Sequence, residues 1–303
     1  MTKIDQFESV FRSADKPLFR YDPCAVNSVL VMTDLEGEKA EAFSALAGKY
    51  LGVSGEVPEE PSAVPTGKAE GWRPAAPSIQ LASAGDFSNI EECLGLIDEV
   101  KPDLVCTYRG LHSECWRWGH SLGSYVEVLT QGISTPVLVF PHPSSREALS
   151  AASGECTKVM AMTDHLAGDS RLVNAALFFT REGGVLHLAN FEDRQVFERY
   201  MDAIGRIPSI DSDQAREDLL ERLLREARDY IQSCRLEVET QGNEVEITET
   251  VDLGLHVEAY RQLVRSNGIE LLVMNTKEQG QLAMHGLAYA LAVEVNEIPL
   301  LLL

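Results

Sequence analysis

The sequence predicts an α/β protein built as two doubly wound parallel-sheet units, Rossmann-like α/β/α sandwiches, forming an intramolecular pseudo-dimer. Three observations predict it. Apolar runs such as "SVLVM", "PDLVC", "KVMAM" and "IELLVM" are continuous, which marks strands buried on both faces. Helical stretches separate them, the rhythm of a parallel sheet covered on both sides. The order also repeats. "NSVLVMTDLEGEKAEAFSALAGKYLG" from Asn27 and "TKVMAMTDHLAGDSRLVNAALFFTREGG" from Thr157 each open on a strand ending in Met-Thr-Asp and continue into a helix.

The elements follow in chain order. In residues 1–26, "IDQFESVF" puts Ile4, Phe7, Val10 and Phe11 on one helical face. The stretch is short and free of basic residues, so it reads as a segment docking on the fold, not as a membrane anchor. The first unit spans 27–143. After its first helix, "GVSGEVPEEPSAVPTGKAEGWRPAAP" reads as a loop, and the second strand expected there is not evident. "KPDLVCTYRG" and "STPVLVF" supply its last two strands.

The boundary lies near Ser144–Cys156, and the second unit spans 157–303. "GGVLHLANF" is its second strand. A helix runs from Asp211 to Cys234 with an Asp or Ser cap. "RLEVETQGNEVEITETV" alternates on both sides of Gly242-Asn243 and reads as a hairpin or one long edge strand. "GIELLVMNTKEQG" and "EIPLLLL" mirror the last two strands of the first unit.

The 303 residues are 45% hydrophobic and 24% charged, ordinary for a globular chain with sizeable cores. No apolar run reaches the roughly 20 residues that span a bilayer, and the first residues lack the apolar core of a secretory signal. A soluble cytoplasmic protein is expected. Acidic residues number 47 against 26 basic ones, a formal charge of −21. Such a surface repels phosphate backbones and anionic membranes, so neither nucleic acid nor membrane is expected as a partner. The six cysteines are scattered without a Cys-x-x-Cys pair, which speaks against a zinc ribbon or a disulfide scaffold.

The Met-Thr-Asp strand end, "PDLVCTYRG", the helix start "LGSYVEVL" and "TPVLVFP" resemble a universal stress protein domain. The second half resembles another copy, and the resemblance covers 27–142 and 157–303. It implies a five-stranded parallel sheet per unit and, in nucleotide-binding members, ATP at the carboxyl ends of the strands. Those members carry Gly-x2-Gly-x9-Gly-Ser/Thr after the fourth strand, where glycines let amides approach phosphates and a helix N-terminus favours an anion.

On this pattern Asp34 stands at the first-strand Asp that contacts adenosine. Thr107 replaces the first glycine, Gly110 matches the second, and Gly123 and Ser124 match the final pair. Twelve residues separate Gly110 from Gly123 where nine are expected, the extra three lying in "LHSECWRWGHSL". His112 sits on that rebuilt rim and is grouped with the ligand-contacting residues. In the second half Asp164 matches the first-strand Asp and Ser170 follows in the early helix. Asn275 replaces the first glycine, no Gly-x2-Gly follows, and His285-Gly286-Leu287 replaces the Gly-Ser pair. The first half is thus the better nucleotide candidate. In the family the last strands of paired domains meet, and the apolar edges "PVLVFP" and "PLLLL" need a partner on physical grounds too.

Each residue has a plainer role beside the functional one. Asp34 and Asp164 suit helix caps. Gly110, Gly123 and Ser124 suit a turn and a helix start. His112, Cys115 and His120 offer three ligand types without a recognised metal spacing, so no metal is expected. Trp116 and Trp118 suit the cover of a pocket or domain interface, and Cys106 a small buried apolar group. The function implied is a regulatory binding module of the stress response, with ATP or another adenine nucleotide in the first half. The alternative is a degenerate, nucleotide-free scaffold for a protein partner or an apolar small ligand. A slow ATPase ranks last, for want of a base, a metal carboxylate set and a phosphate lysine. A homodimer of the chain is a further expectation.

Overall fold

A computed structural model describes residues 18–52, 76–119, 121–145, 156–162, 169–254, 256–276, 284 and 286–303. The expected docking helix around Ile4–Phe11, the acidic loop after the first helix and the boundary between the halves fall largely or wholly outside these residues.

In the first half β1 (Ser28–Met32), α1 (Glu38–Tyr50), β2 (Ser78–Ala82), α2 (Ile90–Val100), β3 (Leu104–Tyr108), α3 (Ser124–Gly132) and β4 (Val137–Phe140) follow in order. The second half continues with β5 (Lys158–Met162), α4 (Ser170–Phe179), β6 (Val185–Asp193), α5 (Arg194–Ile204), α6 (Ser212–Thr240), β7 (Glu246–Gly254), α7 (His256–Asn267), β8 (Leu271–Met274), α8 (Gly286–Glu294) and β9 (Leu300–Leu302). The nine strands among the described residues form one sheet in the order β2-β1-β3-β4-β9-β8-β5-β6-β7. Neighbours run parallel except at the centre, where β4 and β9 pair antiparallel with Val137 opposite Leu302 and Val139 opposite Leu300.

Residue choice explains this layout. β1, β3, β4, β5, β8 and β9 are the continuous apolar runs, and their side chains are buried almost throughout. Each fully buried Val or Leu contributes about 1.5–3 kcal/mol relative to exposure, so these strands occupy the middle of the sheet. Both outer strands are partly exposed. β2, "SIQLA", exposes Ser78 and Gln80 at one edge. This is the strand that the sequence pattern does not reveal. A short half-exposed edge strand has no apolar run to mark it.

The stretch read as a hairpin or long edge strand is corrected. "RLEVET" continues α6 to Thr240, making one helix of 29 residues, and only the second stretch forms a strand, β7. The buried stripe Leu224, Ala227, Tyr230, Ile231, Cys234 and Val238 advances by three or four residues, so Val238 belongs to the helical period and not to a strand. Asp211 is the cap, its carboxylate accepting from Asp213 N and Gln214 N at 3.1 and 3.2 Å.

An extended strap before β1 crosses to the second half. Phe19 N–H donates to Ser233 Oγ at 2.9 Å and its ring packs edge-on against Tyr230. Asn174, buried on α4, donates to Arg20 O at 2.9 Å and accepts from Asp22 N at 3.1 Å. Its amide thereby treats the strap as a neighbouring strand would.

Candidate functional site

β1 and β3 are adjacent and parallel, so their carboxyl ends deliver Asp34 and the Gly110 loop to the same rim of the sheet. Asp34 does not cap α1. The helix starts after Gly37, without a side-chain cap. The Asp34 carboxylate instead accepts the Tyr108 hydroxyl on one oxygen and the His112 N–H, at 2.8 Å, on the other. The Tyr108 oxygen also accepts from Asp34 N at 3.0 Å and lies 2.8 Å from Thr33 Oγ1. Burial pushes the Tyr108 phenol above its ordinary range, and the hydrogen bond to Asp34 adds to the rise.

Thr107 is not in the loop. It lies inside β3 opposite Val139, fully buried. The chain first turns at Gly110, with φ 75°, and His112 follows at φ 53°. Gly110 N–H donates to Leu122 O at 2.9 Å, bringing the start and end of the loop together. Gly123, with φ 94°, precedes α3. A Cβ on Gly123 would stand 3.0 Å from Gly110 Cα and 3.2 Å from Cys115 Sγ, while one on Gly110 would stand 3.0 Å from Trp116 Cδ1. The two glycines therefore touch, and Cys115 and Trp116 occupy the space beside them. Ser124 is the first residue of α3 and is exposed.

Aromatic rings brace both sides of this loop. Trp116 stacks on His142 with centroids 4.3 Å apart and planes at 8°, and His142 meets Tyr108 edge-on at 5.3 Å. Burial lowers the His142 pKa. The His112 ring packs on Phe87 at 5.1 Å and on Tyr125 at 4.9 Å. Trp118 is 72% exposed among the described residues, against the expectation that both tryptophans close a pocket or interface.

Arg109, between Tyr108 and Gly110, is only 4% exposed. Its Nη2 donates to Val295 O at 2.6 Å, while its Nε has no partner among the described residues. Burial lowers its pKa to about 10. Thr107 Oγ1 and His112 Nε2 are likewise buried without a partner there. Cys106 is buried within β3, and burial raises its thiol pKa far above the reactive range.

The space beside the two glycines, where a Cβ would stand, is taken by their mutual contact, by Cys115 and by Trp116, and both oxygens of Asp34 are engaged within the fold. His120 and Asp164 lie outside the described residues. Among the described residues no group of three or more His, Cys, Asp or Glu side chains could hold a metal ion. In the second half Asp169, which the sequence reading passed over, caps α4 by accepting from Leu172 N at 3.0 Å and also accepts from Asn275 Nδ2. It links the helix start to the end of β8. Its place directly before Ser170 was the available signal. Tyr108 and His142 were missed as well, and no local pattern marks them.

The sheet and its helices resemble known structures. A functionally unknown protein from Pseudomonas aeruginosa PAO1 matches with a TM-score of 0.50 at 12% identity, covering 92% of each chain. A protein described as a universal stress protein, from Pseudomonas aeruginosa UCBPP-PA14, matches with a TM-score of 0.51 at 13% identity, covering 92% of this chain and 93% of that one. At such identities the likeness is one of fold. No protein-family model matches the chain, and no curated protein matches it in sequence. Among the described residues no helix is long and apolar enough to cross a membrane.

Proposed function

We propose that this chain is a tandem universal stress protein-type module, with units at 27–143 and 157–303, that acts by binding a partner and not by chemistry. The observation that carries this reading is the closed state of the loop after β3. Asp34 is spent on Tyr108 and His112, and Gly110 and Gly123 are packed against each other beneath Cys115 and Trp116. A frame shaped like a phosphate loop but filled by its own side chains supports a nucleotide-free scaffold for a protein or an apolar small ligand. The cytoplasm is the compartment that suits the scattered free thiols.

A second reading keeps adenine nucleotide binding in the first half. It draws support from the start of α3, where Gly123 offers no side-chain cap and Ser124 is exposed. Such a helix start attracts anions. Binding would then require the loop to open.

The deciding experiment is mass spectrometry of small molecules released from the purified, denatured chain, with titration calorimetry using ATP and magnesium. Absence of nucleotide and of binding heat supports the scaffold. Stoichiometric nucleotide, lost in a Gly123→Val plus Ser124→Val variant, replaces it with the second reading.

A further inference from the structure

Two polar ties run from the Gly110–Gly123 loop of the first half to α8 of the second. The first is Arg109, whose backbone N–H is fixed to Phe140 O at 3.0 Å and whose buried guanidinium donates to Val295 O, just past the last turn of α8. A cation at a helix C-terminus is favoured by the carbonyl ends exposed there. The second tie is a relay. Gly123 N–H donates to Ser121 Oγ at 3.0 Å, Ser121 Oγ–H donates to Glu127 Oε1 at 3.0 Å, and Tyr289 O–H on the first turn of α8 donates to the same Oε1 at 3.1 Å. Burial and the Glu127 carboxylate both raise the Tyr289 pKa. The loop also passes close to the end of the helix: a Cβ on Gly119 would stand 3.6 Å from Asn296 Nδ2.

We infer that these ties couple the two halves: opening the loop around Gly123 releases α8, and loosening α8 releases the loop. The φ of 94° at Gly123 and its contact with Gly110 hold the start and end of the loop closely packed. Moving Gly123 breaks its bond to Ser121, and Ser121 shares an acceptor oxygen with Tyr289. Moving the chain at Gly110 pulls on the adjacent Arg109, whose side chain is held at the far end of the same helix. α8 is thus gripped at both ends by residues that report the state of the loop. Coupling of this kind is reciprocal by thermodynamic necessity. The inference is independent of which ligand, if any, the loop takes.

The test is hydrogen exchange with mass spectrometry on the full chain. Tyr289→Phe removes one hydroxyl from a partly exposed ring. It should speed exchange of the Gly110 and Gly123 amides by about threefold or more, the loss of a single hydrogen bond, while amides of β1 and β4 keep their rates. Ser121→Ala should speed exchange in α8 by a similar factor. Both effects are required. Failure of either to cross between the halves overturns the inference, as does a uniform rise across the sheet, which would report global destabilisation.

Discussion

Tyr108 donates its hydroxyl to the Asp34 carboxylate, and this bond holds the end of β3 to the end of β1. The acid at the first-strand position thus serves the fold's own loop. Tyr108→Phe should leave the carboxylate, Asp34 N–H and Thr33 hydroxyl short of a buried partner. The expected cost is about 1–3 kcal/mol in urea unfolding. An unchanged midpoint would show that the bond is not part of the fold's stability.

Gly123→Ala and Gly37→Ala separate backbone strain from contact. Both glycines have positive φ, at 94° and 54°, but a Cβ on Gly37 meets nothing within 4 Å, whereas one on Gly123 meets Gly110 Cα at 3.0 Å. Gly37→Ala should cost about 1–3 kcal/mol, the penalty of its backbone conformation (φ 54°, ψ −136°) alone. Gly123→Ala should cost measurably more and should change the environment of Trp116. Equal losses by chemical denaturation would mean that the loop yields freely.

Burial raises the pKa values of Tyr50, Tyr108 and Tyr230 above the ordinary phenol range. In the unfolded chain these groups ionise near pH 10, while in the folded chain they stay neutral. Their contribution is therefore intact below about pH 10 and is lost as pH rises above it. Ultraviolet titration of the folded chain at pH 11 should register fewer than the eight tyrosines present, and thermal midpoints should fall steeply over the same range. Full titration of all eight without unfolding would contradict this.

The open edge of the sheet at β7 is guarded. Glu246 N–H points to Gly184 O beside β6, so alternate residues, beginning with Ile247, turn their carbonyls outward. Arg235 Nε donates to Ile247 O at 3.1 Å, Arg228 Nη2 to Val251 O at 3.3 Å and Arg194 Nη2 to Leu253 O at 3.0 Å. Arg235 also pairs with Glu249 at 2.8 Å. Replacing Arg194, Arg228 and Arg235 by Ser should expose a nine-residue edge to pairing. Sedimentation velocity should show greater self-association than the parent chain at equal concentration. No difference would mean that the arginines are dispensable there.

Asn174→Ala should free the strap, because the amide satisfies two backbone groups of residues 18–26. Limited proteolysis is expected to cut between Leu18 and Val26 several times faster, with β-sheet circular dichroism retained. Unchanged cleavage would mean that the bonds of Phe19 and Arg20 to Ser233 and Ser170 hold the strap without Asn174.

How much of this could be read beforehand depended on range. The buried strands were legible because "SVLVM" or "ELLVM" carries its own apolar signal. α6 was read only as far as Cys234, because Leu236 and Val238 also suit an alternating pattern and only tertiary burial of Val238 decides between them. β2 was illegible because an edge strand with Ser78 and Gln80 exposed needs few apolar residues. In the site, Asp34, Gly110 and Gly123 came from the resemblance to the universal stress protein pattern, and the structure brings all three to one rim. What occupies them was not legible. Tyr108 lies 74 residues from Asp34, and His142 lies beyond β4 from Trp116, so no local pattern announces either contact.

The antiparallel seam between β4 and β9 sets a timetable for synthesis. β9 sits between β4 and β8 at the heart of the sheet, yet it leaves the ribosome after the other eight described strands. At about 5–20 residues per second, the roughly 160 residues between the two strands take on the order of 8–30 s to make. Throughout that interval the apolar edge of Val137–Phe140 has no mate. A nascent first half therefore waits with an adhesive flank, and chaperone demand for this chain should peak before its last strand emerges.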